Sequence, residues 1–498
     1  MTEFSDLGAT TTAKDDAGWT PRLALSLLSL VLVLELLSVS YVMVSMAILP
    51  ISAEYQTGQG AWLITAFLLV GAVLSPLLGK LADIIGKRKV IIACVVIGAV
   101  GSVISAVATS YAVMIFGRAL SGILVPTLFL SYSLIRDVFP RKTVPMAVSI
   151  CTAGCGLITV AAPFLTGWLI DGFGWRSLFW FFAAVLVVCL VMILLTTPES
   201  TVRLRASLDV LGAVLLGAGL AGLLVAVSFG PQWGWTDTTT LAFLVGGLVL
   251  TAAWYASAKR VSDPLIRLDL LRRPSIAWTV TAAGGIYGLG AVFTMLLPIM
   301  AMTPETFGLG YGWGLSAEQY AVFQVPLGGM TMVGGLVVGA LCGRGLHPRV
   351  LLMASGVLTG LAGAATAFMH DSKPLLFLLA ALFGAGLGMG YASIPNMLIK
   401  AAPPELQAST ASIAGVVQSL CSAVLPVIAF AIMNNSFVAQ LPADQTGGAV
   451  FYTDGGFTAA FLLVAAAAVI ALVAALALPK VTQQFRTEQS EVPEAATV

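Results

Sequence analysis

The fold of this chain is decided by a short stretch, rich in glycine and charge, that separates two long apolar runs. It reads Gly79-Lys80-Leu81-Ala82-Asp83-Ile84-Ile85-Gly86-Lys87-Arg88-Lys89. The flanking apolar residues fill 61–78 and 90–107, and a helix of about 20 such residues crosses a bilayer. Glycine permits tight turns and close helix contacts. The sequence therefore predicts a short polar loop between two membrane helices.

Composition places the rest of the chain in a lipid bilayer as well. Of 498 residues, 59% are hydrophobic and 9% are charged, whereas soluble domains carry about 25% charged residues. We expect no metal site, because the six cysteines lie within or beside apolar runs. We also expect no cofactor and no nucleic-acid partner, and the sequence has no nucleotide-binding loop. The apolar runs predict 14 spans, at roughly 23–50, 60–79, 88–108, 111–135, 143–170, 177–196, 207–228, 239–257, 276–302, 317–341, 349–369, 374–396, 408–435 and 456–478.

The basic residues predict the orientation of these spans. If both termini are cytoplasmic, 21 of the 24 Lys and Arg residues fall on the cytoplasmic side. The other three are Arg118, inside a span, and Arg176 and Lys373, in outer loops. Lys and Arg favour cytoplasmic segments. We therefore predict a multi-pass protein of the plasma (inner) membrane with both termini in the cytoplasm.

Three motifs carry a resemblance to a known family. Residues 79–88 fit the pattern G-x-L-x-D-x-x-G-[RK]-[RK], which resembles the signature loop between the second and third helices of major facilitator superfamily transporters. Ile84 stands at a position that is usually basic. Arg118 and Gly122 resemble the R-x-x-x-G of the fourth helix. Residues 339–344, after the tenth span, are similar to a degenerate second copy of the loop, as the internal repeat of these transporters would produce.

The resemblance implies an all-α membrane protein with the major facilitator fold. Two six-helix bundles plus two extra linking helices give 14 transmembrane helices, as in the 14-helix drug/proton antiporters. The expected parts are a cytoplasmic tail (1–22), the first bundle (23–200), two linking helices with a cytoplasmic loop (201–275), the second bundle (276–480) and a second tail (481–498). The implied gating-loop residues are Gly79, Asp83, Gly86, Lys87 and Arg88. We expect Asp83 to accept hydrogen bonds from backbone N–H groups of a neighbouring helix or to pair with an Arg.

Two charged residues lie deep inside predicted spans. Glu35 is the only deep acid and Arg118 the only deep base. A charge at this depth costs at least about 2.5 kcal/mol on insertion scales, so such residues are functional candidates. We interpret both as proton-coupling residues and expect them to pair with each other. The alternatives are a structural Glu35 that faces another helix and an Arg118 that ties backbone carbonyls together.

The chain departs from the family at two places. Tyr41 occupies the position where the first helix usually carries an Asp, and Glu35 lies six residues earlier, on another face of the helix. In the fifth helix, Gly154, Gly156, Pro163 and Gly167 form an incomplete version of the antiporter helix-bend motif. The polar residues Tyr41, Gln324, Asn396 and Gln418 are candidates for the substrate cavity, with helix–helix contacts as the alternative.

These observations predict a secondary active transporter and no enzyme. The resemblance implies proton-coupled export of hydrophobic or cationic small molecules by alternating access, with the small-molecule substrate, protons and the lipid bilayer as partners of a monomer. One alternative is a more selective carrier of a metabolite or lipid. A second alternative is a polytopic membrane enzyme or a non-transporting sensor, but the sequence has neither a cluster of His, Asp or Glu at a membrane face nor a sizeable soluble domain.

Overall fold

A computed structural model describes most of the chain. The described residues are 19–55, 62–205, 207–266, 268–303, 311–315, 317–370, 372–402, 406–434, 436–440 and 450–479. They are mostly helical, as the long apolar runs predict, because a helix satisfies all its backbone hydrogen bonds without water.

The first half of the chain forms seven α-helices. They are α1 (Pro21–Glu54), α2 (Trp62–Ile85), α3 (Lys87–Ala106), α4 (Tyr111–Ser121), α5 (Thr127–Val138), α6 (Val144–Phe173) and α7 (Arg176–Thr196). A short 3-10 helix, Gly122–Leu124, joins α4 to α5. Together they make one broken span, and α5 begins directly after Pro126, which has no N–H group to continue an α-helix.

The linking region and the second half supply the remaining elements. The linking helices are α8 (Val210–Trp233) and α9 (Thr238–Ala258), followed by the one-turn α10 (Leu268–Leu271). The second half contains α11 (Pro274–Met302), α12 (Ala317–Gly343), α13 (Pro348–Phe368), α14 (Lys373–Ala401), α15 (Gln407–Asn434) and α16 (Asp454–Ala477). Between α15 and α16, β1 (Phe437–Gln440) pairs antiparallel with β2 (Val450–Tyr452). This hairpin lies between the predicted spans 408–435 and 456–478.

The helices are long and apolar enough to be membrane spans. Among the described residues, 13 helical segments meet both criteria, with α4 to α5 counted as one. The remaining predicted span is α6, which is 30 residues long; its fully described apolar part is Val144–Gly154. The described residues therefore contain 13 candidate spans in the predicted order, and α6 occupies the place of the remaining predicted span.

The two halves meet along two seams. In one seam α6 packs against α12, and in the other α2 packs against α15. Within the first half, α1 packs on α6 and α7 and α3 packs on α4 and α7. Within the second half, α11 packs on α15 and α16 and α13 packs on α14 and α16.

The linking helices lie against one of these seams. α8 packs on α9, on α2 and on α15. The rings of Trp62 in α2 and Phe229 in α8 stack with their centroids 4.4 Å apart. A Cβ at Gly217 would meet the Val73 side chain of α2 at 2.8 Å, so this side chain packs directly on the backbone of α8.

The signature stretch is more compact than the sequence predicted. The predicted loop 79–89 is wrong in extent, because α2 continues to Ile85 and α3 begins at Lys87. Gly86 alone makes the turn with φ of 123°, a conformation that favours glycine. We refer to the end of the molecule where α2 meets α3 as the Gly86 end; it is the end predicted to be cytoplasmic.

The span count can be tested by chemical labelling across α9. Thr236 precedes this helix and Ser262 follows it, and both residues are exposed. In a cysteine-free background, Thr236→Cys should react with a membrane-impermeant maleimide from outside the cell, and Ser262→Cys only after the membrane is opened. Reaction of both cysteines from the same side would contradict the 14-span arrangement.

Candidate functional site

Asp83 joins the two halves of the molecule at the Gly86 end. Its Oδ2 atom accepts a hydrogen bond from the Ser409 backbone N–H at 2.8 Å and one from the Ser409 hydroxyl at 2.7 Å. Ser409 lies in the first turn of α15, where unpaired N–H groups favour a negative partner. Both side chains are buried. The expectation that Asp83 accepts a hydrogen bond from the backbone of a neighbouring helix is confirmed.

Lys87 is a buried ion-pair partner of two carboxylates. Its ammonium group hydrogen-bonds the Asp137 carboxylate of α5 and lies 3.8 Å from Asp83 Oδ1. The Lys87 side chain has no exposed surface. The sequence analysis treated Lys87 as a loop residue that marks the cytoplasmic side and did not identify Asp137. The available signal was an acid between Arg136 and Arg141 in a basic segment.

Glu199 closes the start of α3. Its two carboxylate oxygens accept the backbone N–H groups of Arg88 at 3.0 Å and Lys89 at 3.1 Å. The helix needs this partner because the residue before it is Gly86, which has no side chain for a cap. The Arg88 guanidinium in turn donates to the Leu194 carbonyl at 2.8 Å. Arg88 and Glu199 therefore fix the end of α7 to the start of α3.

Lys80 and Asp83 attach the linking region to the same turn of α2. The Lys80 ammonium donates to the backbone carbonyls of Asp263 and Pro264, and the Leu204 N–H donates to the Asp83 carbonyl at 2.8 Å. A cavity of about 120 Å³ remains between these segments and α15. Pockets for drug-sized ligands measure about 300–1,000 Å³, so this cavity is too small for such a substrate.

Further contacts close the Gly86 end. Arg136 of α5 donates to the Gln407 side chain at 2.8 Å. In the other seam, a Cβ at Gly339 of α12 would lie 2.7 Å from the Ser149 Cβ, and one at Gly335 would lie 3.2 Å from the Ala153 Cβ. Further along these helices, a Cβ at Gly167 or Gly329 would meet nothing within 4 Å. The halves are therefore closely packed at the Gly86 end.

Glu35 lies in the interior of the first half without a polar partner. Its side chain is 7% exposed, and neither carboxylate oxygen has a hydrogen-bond partner among the described residues. Gly154 of α6 faces this carboxyl group: a Cβ there would overlap the Oε1 and Cδ atoms of Glu35 and lie 3.0 Å from its Cγ. Gly154 was predicted as part of a helix-bend motif; the structure places it against Glu35.

Arg118 does not pair with Glu35, so that expectation is wrong in this structure. Its Nε–H donates to the Leu63 carbonyl at 3.0 Å and its Nη1–H to Ser40 Oγ at 3.1 Å. The guanidinium carbon also lies 4.6 Å from the centre of the Phe67 ring, where a cation is attracted by the π electrons. The alternative reading, an Arg that ties neighbouring helices together, describes these contacts.

The structure describes local hydrogen bonds for two of the remaining candidates. Asn396 is buried and donates to the Ala392 carbonyl of its own helix at 2.8 Å. Gln324 donates to the Tyr320 hydroxyl at 2.9 Å. One oxygen each of Gln324 and Gln418 has no partner among the described residues. The predicted residues Tyr41, Gly156 and Pro163 lie in α1 and α6, but their side-chain surroundings are outside the described residues.

The helix order, the two seams and the signature turn define a transporter of the two-bundle type. The chain belongs to the Major Facilitator Superfamily, whose family model matches residues 28–426. The fold agrees: the structure of the human organic anion transporter MFSD10 (TETRAN) superimposes with a TM-score of 0.62, covers 93% of this chain and 100% of its own, and is 14% identical.

Several curated relatives are named transporters or resistance proteins. The tetracenomycin C resistance and export protein of Streptomyces glaucescens is 29% identical over 74% of this chain and 68% of its own length. The multidrug resistance protein Stp of Mycobacterium tuberculosis is 27% identical over 84% of this chain and 76% of its own. The uridine/deoxyuridine transporter of Lactococcus lactis is 27% identical over 72% of this chain and 75% of its own. The chain is therefore a transporter similar to both drug exporters and a nucleoside carrier.

The buried position of Lys87 predicts a large loss of stability when its charge is removed. Lys87→Ala leaves the Asp83 and Asp137 carboxylates without their cation, which costs about 3–5 kcal/mol when one partner of a buried pair is deleted. Lys89→Ala, two residues away and exposed, is the matched control. Thermal unfolding of the detergent-purified proteins measures both. Equal melting temperatures for the two variants would show that Lys87 is not needed to balance these carboxylates.

Proposed function

We propose that this chain is a proton-coupled exporter of hydrophobic or cationic small molecules. The observation that carries the proposal is the Glu35 carboxyl group, which is buried in α1 without a hydrogen-bond partner among the described residues. Burial in an apolar environment disfavours the charged form of a carboxyl group. A transporter that must bind and release one proton per cycle needs such a group, and Glu35 is the deep acid of its first half.

Glu35 serves coupling and not substrate contact in this proposal. Its oxygens have almost no exposed surface and face α6, not an open cavity. The facing helix, α6, also carries Ser149 and Ala153, which contact α12 of the second half. Protonation of Glu35 therefore acts one helix away from a seam between the halves. The substrate is bound elsewhere, and Gln324, Asn396, Gln418 and Tyr41 remain candidates for that cavity.

Asp83 holds the Gly86 end closed in this proposal. Its two hydrogen bonds to Ser409 cross from one half to the other, and a charged acceptor makes them stronger than neutral hydrogen bonds. In alternating access these bonds break when the halves rock to open this end. Gly79, Gly86, Lys87 and Arg88 position the acid, and Arg118 stabilises the packing of α1, α2 and α4.

We infer the direction of transport from the names of the relatives and the location from the charge distribution. Two of the relatives carry the words export or resistance in their names, which favours export from the cytoplasm. The basic residues favour the plasma membrane with both termini cytoplasmic. We propose that the monomer is the transporting unit and that the chain has no enzymatic activity.

The second candidate function is a selective carrier of a metabolite such as a nucleoside. The observation that favours it is the similarity to a uridine/deoxyuridine transporter, together with Tyr41 at the position of the usual first-helix Asp. Thermal-shift binding to the purified protein distinguishes the two. Ethidium and other hydrophobic cations should stabilise the exporter, whereas uridine and deoxyuridine should stabilise the selective carrier.

Glu35→Gln tests proton coupling directly. Glutamine keeps the shape of the side chain but cannot ionise, so uphill transport of the stabilising compound, driven by a pH gradient in proteoliposomes, should vanish. Exchange of the same compound at equal pH should continue at a similar rate. Accumulation by Glu35→Gln at the wild-type rate would refute the coupling role, and loss of exchange as well would assign Glu35 to the substrate.

Asp83→Asn tests the gate. The amide keeps an acceptor oxygen but loses the charge, which removes about 1.4 kcal/mol or roughly tenfold from the closed state. Ser149→Cys places a thiol in the α6–α12 seam, where the native side chain is fully buried. Its reaction with a water-soluble maleimide should become about tenfold faster in the Asp83→Asn protein.

The control thiol for the gate lies within one half. Ser26 is fully buried at the same end and hydrogen-bonds Thr197, the residue after α7, so the reaction of Ser26→Cys should not depend on Asp83. An unchanged rate at position 149, or the same acceleration at both positions, would exclude Asp83 as a gate residue.

A further inference from the structure

We infer that Gly154 is a positioning residue for Glu35: the missing side chain at 154 creates the recess that holds the carboxyl group away from the polar groups that the structure describes, and this recess sets the pH at which the transporter takes up its proton. The inference rests on the proposed role of Glu35 in coupling. It concerns a residue that the antiporter helix-bend motif would explain in another way.

The first observation is steric. The three atoms nearest to a Cβ at Gly154 all belong to Glu35: Oε1, Cδ and Cγ. The first two would overlap the Cβ, and Cγ would be 3.0 Å away. Real Cβ atoms do not tolerate such distances in a closely packed interior. Even alanine at 154 is therefore incompatible with the present position of the carboxyl group.

The second observation is electrostatic isolation. Neither oxygen of Glu35 has a hydrogen-bond partner among the described residues, and a buried charge without a partner is strongly disfavoured. Arg118 contacts α1 through its hydrogen bond to Ser40, and its Nε–H donates to the Leu63 carbonyl of α2. Neither hydrogen bond involves Glu35. No ion pair between Arg118 and Glu35 is present in the described part of the chain.

Other titratable groups on the helices around α1 lie at their ends or are thiols and a phenol. They are Lys80 and Asp83 of α2, Tyr132, Arg136 and Asp137 of α5, Cys151 and Asp171 of α6, and Arg176 and Cys189 of α7. Cys155, next to Gly154, has a side chain outside the described residues. None of these groups is a hydrogen-bond partner of Glu35 among the described residues, and its carboxyl group lies against the bare backbone at Gly154.

The third observation links the recess to the seam between the halves. Ala153 faces Gly335 of α12, while the adjacent Gly154 faces Glu35 of α1. One turn of α6 is thus held between the carboxyl group on one side and the second half on the other. A change in the charge or position of Glu35 acts on the segment of α6 that contacts α12.

The first test is a double-mutant cycle on thermal stability. Gly154→Ala should lower the melting temperature more in the wild-type background than in a Glu35→Ala background, because residues in contact show non-additive effects. Gly167→Ala is the matched control on the same helix, since a Cβ there meets nothing within 4 Å. Equal effects of Gly154→Ala in the two backgrounds would overturn the inference.

The second test reads the proton on Glu35 without a transport assay. Dicyclohexylcarbodiimide modifies a carboxyl group only when it is protonated and accessible from an apolar phase, and mass spectrometry of the peptide that contains Glu35 gives the extent of modification against pH. In Gly154→Ala the carboxyl group is forced out of its recess, so half-maximal modification should move to lower pH by about one unit, a tenfold change in proton concentration.

Two further variants separate the steric effect from general damage. Glu35→Asp combined with Gly154→Ala shortens the acid by one methylene and should restore part of the wild-type pH profile, whereas Gly167→Ala should leave it unchanged. An identical profile in Gly154→Ala and the wild type would overturn the positioning role. If Glu35→Gln still transports uphill while Gly154→Ala shifts the modification profile, the coupling proposal fails and the positioning inference stands.

Discussion

The carboxylate of Asp83 holds together two parts of the chain that are 326 residues apart. It accepts the backbone N–H and the hydroxyl of Ser409 at the start of α15, and it is paired on its other side with Lys87, which also neutralises Asp137. All of these groups are removed from water, where an unpaired charge would be prohibitively unfavourable. The arrangement requires contact between the two halves, because their separation removes the two Ser409 donors from Asp83.

The same requirement explains why the linking region lies where it does. Lys80 could not remain buried in α2 without acceptors, and the carbonyls of Asp263 and Pro264 supply them. Asp209, at the start of α8, caps its own helix through Gly212 and also accepts the Leu265 N–H at 3.0 Å. The linking segments are therefore hydrogen-bonded to each other and to α2. They are fixed to the first half by these hydrogen bonds to α2.

Much of the fold could be predicted from the sequence because membrane helices are specified by long apolar runs and by basic residues between them. The hydrogen bond that Asp83 accepts from a neighbouring helix could be predicted because its position after an apolar run places it at a helix end. The expected ion pair between Glu35 and Arg118 is absent among the described residues, so that prediction was wrong. The depth of Glu35 and Arg118 can be read from the sequence, but the rotation of α1 and α4 about their axes cannot. This rotation decides whether the two side chains meet. Gly154 was missed as a neighbour of Glu35 for the same reason: a glycine shows where space exists only when the facing helix is known.

The position of α8 makes the two seams between the halves unequal. α8 packs on both α2 and α15, and the stacking of Trp62 on Phe229 fixes it against the first of these helices. A two-bundle carrier without linking helices presents two equivalent flanks to the surrounding lipid. Here one flank is screened along its length by an additional helix. A lipid-soluble molecule that diffuses within the bilayer therefore meets two different flanks. The flank between α2 and α15 is covered by α8.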